Sequence, residues 1–489
     1  MTTETNRSPS AAAAAAPAPT PAAAAEPHWA ILPIVLSGVF ITTLDFFIVN
    51  VAIPSMQSDL HAGASAIEWV VAGFGLAYGV GLITGGRLGD LYGRRRMFML
   101  GLAFFTLASL ACGIANSGGT LVAARVAQGV AAALLAPQVL AILRTVFTGP
   151  AVAKVFTGYG LAMGLAAVFG QLIGGVLIQA NIANLGWRSC FLVNIPLGIV
   201  ILALTWKIVP EAQAPARPKL DIPGVALITL ALVALVLPLI EGREKHWPLW
   251  TWLSFAASAV LFVLFALQER RLGQNEGGPL VDLSLFRERA FVVGLATQLV
   301  FWMGQASFFL VFALYVQAGR GLDALQAGGI FAAIGAGYMY TSMKAGVFAA
   351  KIGRQVIAIG ALLMGVGLTV VGITAAHLGT TGHVAWLIPG LVIDGAGMGL
   401  AVAPLAATVL SRVTPQHAGA ASGVLTTALQ IGNALGVAII GIIFYNALGS
   451  PLVKAGFPHA FDMSLIFLIG VAVVLAGLVQ LLPRTKDGK

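Results

Sequence analysis

The sequence predicts an all-α polytopic membrane protein with about 14 transmembrane helices, in two six-helix halves plus two extra helices. Three observations lead to this fold class. Hydrophobic residues make up 58% of the 489-residue chain and charged residues only 9%, whereas roughly a quarter of the residues in a soluble domain are charged. Apolar runs of roughly 20 residues, long enough to cross a bilayer, follow one another from residue 29 to residue 482. The third observation is an internal repeat.

The repeat is carried by short motifs that recur in the same order at a near-constant spacing. The matched residues are Gly86, Gly93 and Arg94 with Gly346, Gly353 and Arg354, 260 positions later, and Gly170, Gln171 and Gly174 with Gly432, Asn433 and Gly436, 262 positions later. Because the matched loops fall on the same side of the membrane, the pattern indicates two parallel halves of six spans. The seventh and eighth spans then lie between the halves.

This repeat gives the domain prediction. Residues 1–27 are an Ala/Pro-rich tail without the basic region and apolar core of a signal peptide, so we expect a disordered cytoplasmic segment. The N-terminal six-helix bundle is expected over 28–210, and the two extra helices with a cytoplasmic linker over 211–285. The C-terminal six-helix bundle is expected over 286–483, followed by a cytoplasmic tail at 484–489.

The basic residues predict the orientation. With the N-terminus inside, 21 of the 27 Lys and Arg residues fall on cytoplasmic segments and 5 on outer loops. Because Lys and Arg are retained on the cytoplasmic side, both termini are expected there. The net charge of +9 is spread over short loops rather than gathered in a patch, so we expect no nucleic-acid partner.

The loop between the second and third spans contains Gly86, Asp90, Gly93, Arg94 and Arg95. Its spacing resembles the signature loop of the major facilitator superfamily. Asp90 lies near the start of the next helix, where an anion meets the positive end of the helix dipole, and Arg94 and Arg95 can pair with it. We expect this cluster to latch the two bundles on one face. The alternative is a plain topology signal of basic residues.

Two charged residues lie within predicted spans, which is costly in hydrocarbon and usually functional. Asp45 is about 13 Å inward from the end of its span near Pro54, at 1.5 Å per residue, and is expected to carry a proton. Arg125 is expected at a similar depth and needs a partner because it keeps its charge; pairing with Asp45, directly or through water, is predicted. The alternatives are an Asp45 capped by the hydroxyl groups of Thr42 or Thr43, and an Arg125 that extends to the outer surface.

The fifth span is rich in small residues, among them Gly170, Gln171, Gly174 and Gly175. Small residues at helical spacing predict a close helix contact in lipid, either as a generic packing face or as the place where the bundles hinge.

A substrate cavity is predicted from polar and aromatic residues within spans. Asp394, roughly at mid-bilayer, is expected either to bind protons or to attract cationic substrates, or else to be a buried neutral acid. Aromatic residues at helical spacing in the ninth span suit flat, apolar or cationic ligands if they face a cavity, and lipid if they do not. The predicted cavity residues are Asp394, Phe301, Gln305, Phe308, Phe312 and Gln128.

No catalytic motif, metal-ligand spacing or nucleotide-binding loop is present in the sequence, so we expect no enzyme, cofactor or metal. The two cysteines, Cys112 and Cys190, form no redox motif. We expect two buried free thiols, with a disulfide as the alternative.

Together these motifs resemble those of the fourteen-span drug:proton antiporter family of the major facilitator superfamily, over nearly the whole chain after the tail. The stretch from Trp187 to Gly198 is also similar to that family's sixth-span entry. Three residues depart from the family pattern: Phe47 stands where a threonine is common, Gln171 replaces a usual proline, and Asp394 lies where an apolar residue is frequent.

The resemblance implies export of small hydrophobic or cationic compounds across the cytoplasmic membrane of a bacterium, driven by inward proton flow and carried out by a monomer. Competition between a proton and a substrate for the charge state of Asp45 would couple the two flows. A proton-coupled symporter of the same fold is the alternative. A non-transporting membrane sensor is a third reading, against which Asp45 and Arg125 argue.

Overall fold

A computed structural model describes residues 29–147, 151–211, 221–274, 280, 283–410, 418–449 and 454–482. All regular secondary structure in these segments is helical. The predicted tails at 1–27 and 484–489 lie outside the described residues. So do the Lys and Arg residues of the predicted cytoplasmic segments at 212–220 and 411–417.

The first set of helices ends at residue 208. Its members are α1 (Ile31–Asp59), α2 (Ala64–Tyr92), α3 (Arg94–Gly113), α4 (Gly118–Val146), α5 (Ala151–Ala180), the short α6 (Ser189–Leu192) and α7 (Asn194–Ile208). An extra pair and a second set follow. These are α8 (Ile222–Glu244), α9 (Leu249–Gln274), α10 (Arg289–Leu314), α11 (Ala324–Ile352), α12 (Gln355–Leu378), α13 (Ile388–Leu410), α14 (Ala418–Leu448) and α15 (Phe457–Leu481).

Twelve helical segments among the described residues are long and apolar enough to cross a membrane. α5 is a thirteenth if its two parts, which are bent by 41°, count as one span. α11 is 29 residues long but is rich in Gly and Ala and is not among these segments. The protein is therefore a multi-pass membrane protein, and the predicted count of about 14 spans is not confirmed.

Local sequence explains where several helices begin. Ser117 accepts a hydrogen bond from the backbone N–H of Thr120 and caps α4, and Asp323 caps α11 in the same way through Gln326. Such caps satisfy backbone donors that a helix start leaves free. Both lie at the end of the bundle where α1 is followed by α2, which we call the α1–α2 end. The opposite end, where α2 is followed by α3, is the α2–α3 end.

The same helix pairs pack in both sets. In the first set α1 packs on α5, while α4 packs on α2 and α3; in the second set α10 packs on α14, while α13 packs on α11 and α12. The sets meet through α5 against α11 and α2 against α14. The extra helix α8 lies against both α2 and α14, so the additional pair is placed at the junction of the two sets.

Glycines make the contact between the sets close near the α1–α2 end. A Cβ at Gly175 would collide with the carbonyl oxygen of Ala324, and one at Gly328 would lie 2.6 Å from the carbonyl oxygen of Gln171. Further along the same helices, toward the α2–α3 end, a Cβ at Gly160 or Gly346 would meet no atom within 4 Å. α5 and α11 are thus pressed together at the α1–α2 end, as small residues allow in lipid.

Candidate functional site

Asp45 lies at the centre of a buried hydrogen-bond network that joins three helices of the first set. Its Oδ2 atom is 2.5 Å from Nη1 of Arg125 on α4. Its Oδ1 atom accepts hydrogen bonds from Nε2 of Gln128, also on α4, at 2.8 Å and from Nδ2 of Asn194 on α7 at 2.8 Å. All four side chains are fully buried. Because all three partners donate, the geometry fits an ionised carboxylate, which only accepts.

Arg125 is fixed by further contacts in the same network. Its Nε donates to the backbone carbonyl of Val70 on α2 at 2.9 Å, and its guanidinium lies 4.3 Å from the ring centroid of Phe74. Its Nη2 has no hydrogen-bond partner among the described residues. An arginine keeps its charge at any physiological pH, so Asp45 supplies the countercharge to a permanent buried cation. The predicted pairing is direct.

A second layer of small polar groups supports the carboxylate. Ser109 of α3 accepts hydrogen bonds from Nε2 of Gln128 at 2.7 Å and from Nδ2 of Asn194 at 3.2 Å. The sequence analysis did not single out Ser109 or Asn194 as site residues. It placed Gln128 on the substrate cavity, whereas the side chain is fully buried beside Asp45. Neutral polar residues in a span give a weak signal, because helix partners satisfy them easily.

Cys112 and Cys190 lie next to this network, and both are free and buried. The Sγ atom of Cys112 is 3.7 Å from Oε1 of Gln128. The expectation of two buried free thiols is therefore confirmed.

The cluster at the α2–α3 loop is held together by charge. Nη2 of Arg94 lies 3.1 Å from Oδ1 of Asp90, and Nη1 of Arg94 donates to the carbonyl of Ala141 at 3.0 Å and to Oγ1 of Thr145 at 2.6 Å. Gly93 has a φ of 103°, a conformation that glycine adopts without strain. These partners of Arg94 all belong to α2 and α4 of the first set, so in this conformation the cluster ties helices of one set together.

A second acidic residue continues this cluster beyond α7. The carboxylate of Glu211 accepts a hydrogen bond from the backbone N–H of Arg95 at 3.0 Å and lies 3.7 Å from Nε of Arg96. The side chain of Arg95 also donates to the carbonyl of Val209 at 3.1 Å. Glu211 therefore anchors the segment after α7 to the start of α3, a contact that the sequence analysis did not anticipate.

The Gly-rich motif of α5 faces two neighbours. Gly170 and Gly174 lie against Leu44 and Ile48 of α1, whereas Gly175 lies against the start of α11. The side chain of Gln171 is buried, and neither of its amide atoms has a hydrogen-bond partner among the described residues. One turn of helix thus contributes both to the packing within the first set and to the contact between the sets.

Only some of the residues predicted to line a substrate cavity lie beside a cavity in the structure. Phe301, Gln305, Phe308 and Asp394 line a small cavity of about 10 Å³ inside the second set. Phe312 is buried instead among aromatic rings, with its centroid 5.4 Å from that of Phe308 and other rings on its remaining sides. The cavity beside Asp394 is too small for an organic substrate in this conformation.

Two other spaces were not anticipated. A cavity of about 20 Å³ lies between the sets, with Gln171, Phe309 and Tyr338 among its lining residues. A groove of about 970 Å³ runs along the side of the bundle between α2, α3, α4 and α8, and its walls include Trp69, Leu107 and Val130. We call it the lateral groove.

Comparison with known proteins agrees with this architecture. Residues 35–437 match the family described as Major Facilitator Superfamily. The chain belongs to this superfamily.

Several similar proteins come from Streptomyces species. The chain is 38% identical to "Probable actinorhodin transporter" of Streptomyces coelicolor over 86% of this chain and 73% of that protein. It is 34% identical to "Puromycin resistance protein pur8" of Streptomyces alboniger over 93% and 91%. It is 31% identical to "Tetracenomycin C resistance and export protein" of Streptomyces glaucescens over 92% and 81%.

Solved structures share the fold at low sequence identity. A POT family transporter in complex with a thioalcohol-conjugated peptide superimposes with a TM-score of 0.68 at 16% identity, covering 92% of this chain and 95% of that one. A D-xylose–proton symporter superimposes with a TM-score of 0.66 at 16% identity, covering 95% and 100%.

Proposed function

We propose that the protein exports small hydrophobic or cationic compounds across the cytoplasmic membrane of a bacterium in exchange for protons. The observation that carries the proposal is the buried network of Asp45, Arg125, Gln128 and Asn194. The names of the similar proteins support export, and make actinorhodin, puromycin and tetracenomycin C the first substrates to test. Small-molecule substrate and protons are the only partners proposed beside the bilayer, and the working unit is a monomer.

The network couples charge to helix position. Protonation of Asp45 removes the charge that faces Arg125 and one acceptor site for the amides of Gln128 and Asn194. These partners lie on α4 and α7, while Asp45 lies on α1, so a change of one proton must be accommodated by three helices. An unpaired arginine is costly in a dry interior, which ties the binding of the proton to a rearrangement of the first set.

The proposed transport cycle rocks one six-helix bundle against the other by alternating access. We assign the bundles to 28–210 and 286–483, with the extra helices and linker at 211–285 between them. With α5 counted as the thirteenth span, we count α11 as one more and so reach fourteen, because α11 packs between α5 and α13 and is long enough at 29 residues to cross a bilayer. The bias of basic residues supports a cytoplasmic location for both termini.

With this orientation the α1–α2 end is outside, and the close packing of α5 on α11 seals it. The structure then corresponds to an inward-facing or occluded state with Asp45 ionised. That combination suits an antiporter that has just released a proton to the cytoplasm and awaits substrate. The cluster of Asp90 and Arg94, which we expect to latch the two bundles, lies at the opposite, cytoplasmic end.

Everted membrane vesicles test the proposal. Respiration acidifies their lumen, so a proton-driven exporter accumulates puromycin or a fluorescent cation inside them. We expect accumulation with the parent protein, none with Asp45→Asn, and normal accumulation with Asp462→Asn, which removes a half-buried carboxyl of α15 in the second set, outside the network. Proton-driven uptake by right-side-out vesicles instead would identify a symporter, and no transport in either preparation would favour a sensor.

A further inference from the structure

The two sets of helices can be aligned residue by residue from their contacts. In the first set a Cβ at Gly129 would collide with the carbonyl oxygen of Phe74, and in the second a Cβ at Gly395 would collide with that of Ile334. Ile334 follows Phe74 by 260 positions, the offset of the repeated loop glycines, and Gly395 follows Gly129 by 266 positions. The matched contacts thus determine which residue of α13 corresponds to each residue of α4.

This register places Asp394 where the first set has Gln128, again 266 positions apart. Helix α10, which packs in the second set as α1 does in the first, contributes Gln305. Asp394 and Gln305 line the same small cavity, as Gln128 and Asp45 share one hydrogen-bond network. Carboxyl and amide are therefore both present in each set, but they have exchanged helices.

The position in the second set that matches Arg125 does not hold a cation. Leu391, a fully buried apolar side chain, lies 266 positions after Arg125. The cavity is lined by helices α10, α12, α13 and α15, which contribute Phe301, Met364, Leu368 and other uncharged residues. Among these described lining residues Asp394 is the one titratable group, so no neighbouring charge compensates it.

The carboxyl groups of Asp45 and Asp394 also differ in their hydrogen-bond partners. Asp45 receives three donors, whereas Oδ2 of Asp394 and Oε1 of Gln305 are both buried acceptors without a hydrogen-bond partner among the described residues. Nε2 of Gln305 lies 3.9 Å from the sulfur of Met364, a weak acceptor. A proton on Asp394 supplies the donor that this pair of acceptors lacks.

We infer that Asp394 and Gln305 form a second proton-binding site, in which Asp394 takes the position that Gln128 has in the first set and no arginine lines the cavity. The inference rests on the proposed function. The ligand is a proton rather than a substrate or a metal cation because the cavity measures about 10 Å³. That volume admits at most a single water, while a hard metal ion needs about six oxygen ligands.

Two proton sites in two bundles change the charge moved in each cycle. An exchange of two protons for one monovalent cation carries one net charge, whereas an exchange of one proton for that cation carries none. The hydrogen-bond geometry fits a protonated Asp394 beside an ionised Asp45, so on this inference the two sites release their protons at different stages of the cycle.

The purified protein in liposomes tests this stoichiometry. The probe is a monovalent cationic dye, with equal pH on both sides and an inside-positive potential set by an ion gradient. Two-proton exchange is driven inward by this potential, because positive charge leaves as the dye enters. A leak of the dye responds with the opposite sign. We expect the parent protein to accumulate dye about tenfold at about 60 mV, the ratio for one net charge.

Asp394→Asn is expected to lose this potential-driven accumulation while uptake driven by a pH gradient persists at a lower rate. Asp394→Glu should restore the potential dependence, and Asp462→Asn should leave it intact. Unchanged potential dependence in Asp394→Asn overturns the inference. So does a selective loss of affinity for cationic over neutral substrates, which would place Asp394 on the substrate path.

Two controls keep the result decisive. Size-exclusion profiles and membrane insertion of Asp394→Asn must match those of Asp394→Glu. If the amide variant misfolds, Gln305→Leu takes its place and is compared with the parent and with Asp394→Glu. A potential dependence in Gln305→Leu that equals that of these two references contradicts the site. If the parent protein responds to neither gradient, the proposed function itself fails.

Discussion

Arg243 of α8 lies 3.4 Å from the carboxylate of Glu68 on α2 and 4.8 Å from the ring centroid of Tyr445 on α14. Glu68 is only 1% exposed, and the neighbouring Glu244 accepts hydrogen bonds from the backbone N–H and hydroxyl of Ser65. A residue of the extra pair therefore bridges the first and second sets of helices at the α1–α2 end. The bridge lies at the same end of the bundle as the close contact of α5 on α11.

This bridge leads to a prediction for Glu68→Gln. Removing one partner of a buried ion pair costs about 3–5 kcal/mol, so the variant should favour states in which the α1–α2 end is open. Spin labels at the exposed Ile182 and at Leu325 report the separation of α5 and α11 there. We expect a second, longer distance to become populated in Glu68→Gln. The exchanged pair Glu68→Arg with Arg243→Glu should shift the distribution back, and an identical distribution in parent and Glu68→Gln would argue against a seal.

A neighbouring pair of glycines on α11 offers a sharper comparison. A Cβ at Gly328 would lie 2.6 Å from the backbone of Gln171, while one at Gly329 would meet no atom within 4 Å. Gly328→Ala should weaken the contact of α5 and α11 by about 1–3 kcal/mol, as overpacking does, and should lengthen the same label distance. Gly329→Ala, which makes the same change in helix propensity, should behave like the parent. Equal behaviour of the two variants would contradict the close contact.

Arg125→Lys tests whether the guanidinium is needed for more than its charge. Lysine retains the positive charge but cannot bond Asp45, Gln128 and the carbonyl of Val70 at once, as the fork of arginine does. Hydrogen bonds to charged groups contribute about 1.5–3 kcal/mol each, so we expect gradient-driven accumulation in everted vesicles to fall at least about tenfold. Protein levels in the membrane should be unchanged. Full activity of the lysine variant would reduce Arg125 to a simple countercharge.

Asp90→Asn should slow turnover more than it weakens substrate binding. The pair of Asp90 and Arg94 is partly exposed, at 32% and 20% of the side chains, and such pairs contribute at most about 1 kcal/mol. We therefore expect a turnover number reduced by about fivefold at saturating substrate, with the dissociation constant measured in detergent unchanged. A matched fall in affinity would indicate that Asp90 acts on the substrate site rather than on the balance of conformations.

The sequence was sufficient for the charged pair but not for its surroundings. Two opposite charges at similar depth in apolar spans have few ways to be satisfied, so the pairing of Asp45 and Arg125 follows from the cost of burial alone. Asn194 and Ser109 carry no such cost, and nothing in their local pattern distinguishes them from ordinary packing residues. Their role depends on the approach of α3 and α7 to α1, which is a tertiary property.

The aromatic helix shows a second limit of sequence reasoning. α10 is buried on nearly all sides, so helical periodicity could not tell which face borders a cavity. Phe308 and Phe312 share a face at helical spacing, yet only Phe308 lines the small cavity beside Asp394. Likewise Glu68 lies in an apolar run, but its partner is contributed by α8, outside both repeats. An interaction between distant elements leaves no trace in the periodicity of either one.

The lateral groove has a consequence for how substrates are measured. Its walls are apolar, and residues such as Leu107 and Val130 are more than half exposed on the flank of the bundle, the side that faces acyl chains in a bilayer. Whatever fills the groove is drawn from the lipid phase rather than from water. Its occupancy is then governed by the partition coefficient of a compound and by the amount of lipid present. For molecules that enter by this route, the half-saturating aqueous concentration would fall as lipophilicity rises, and diluting the protein into more lipid would raise it without any change in the protein.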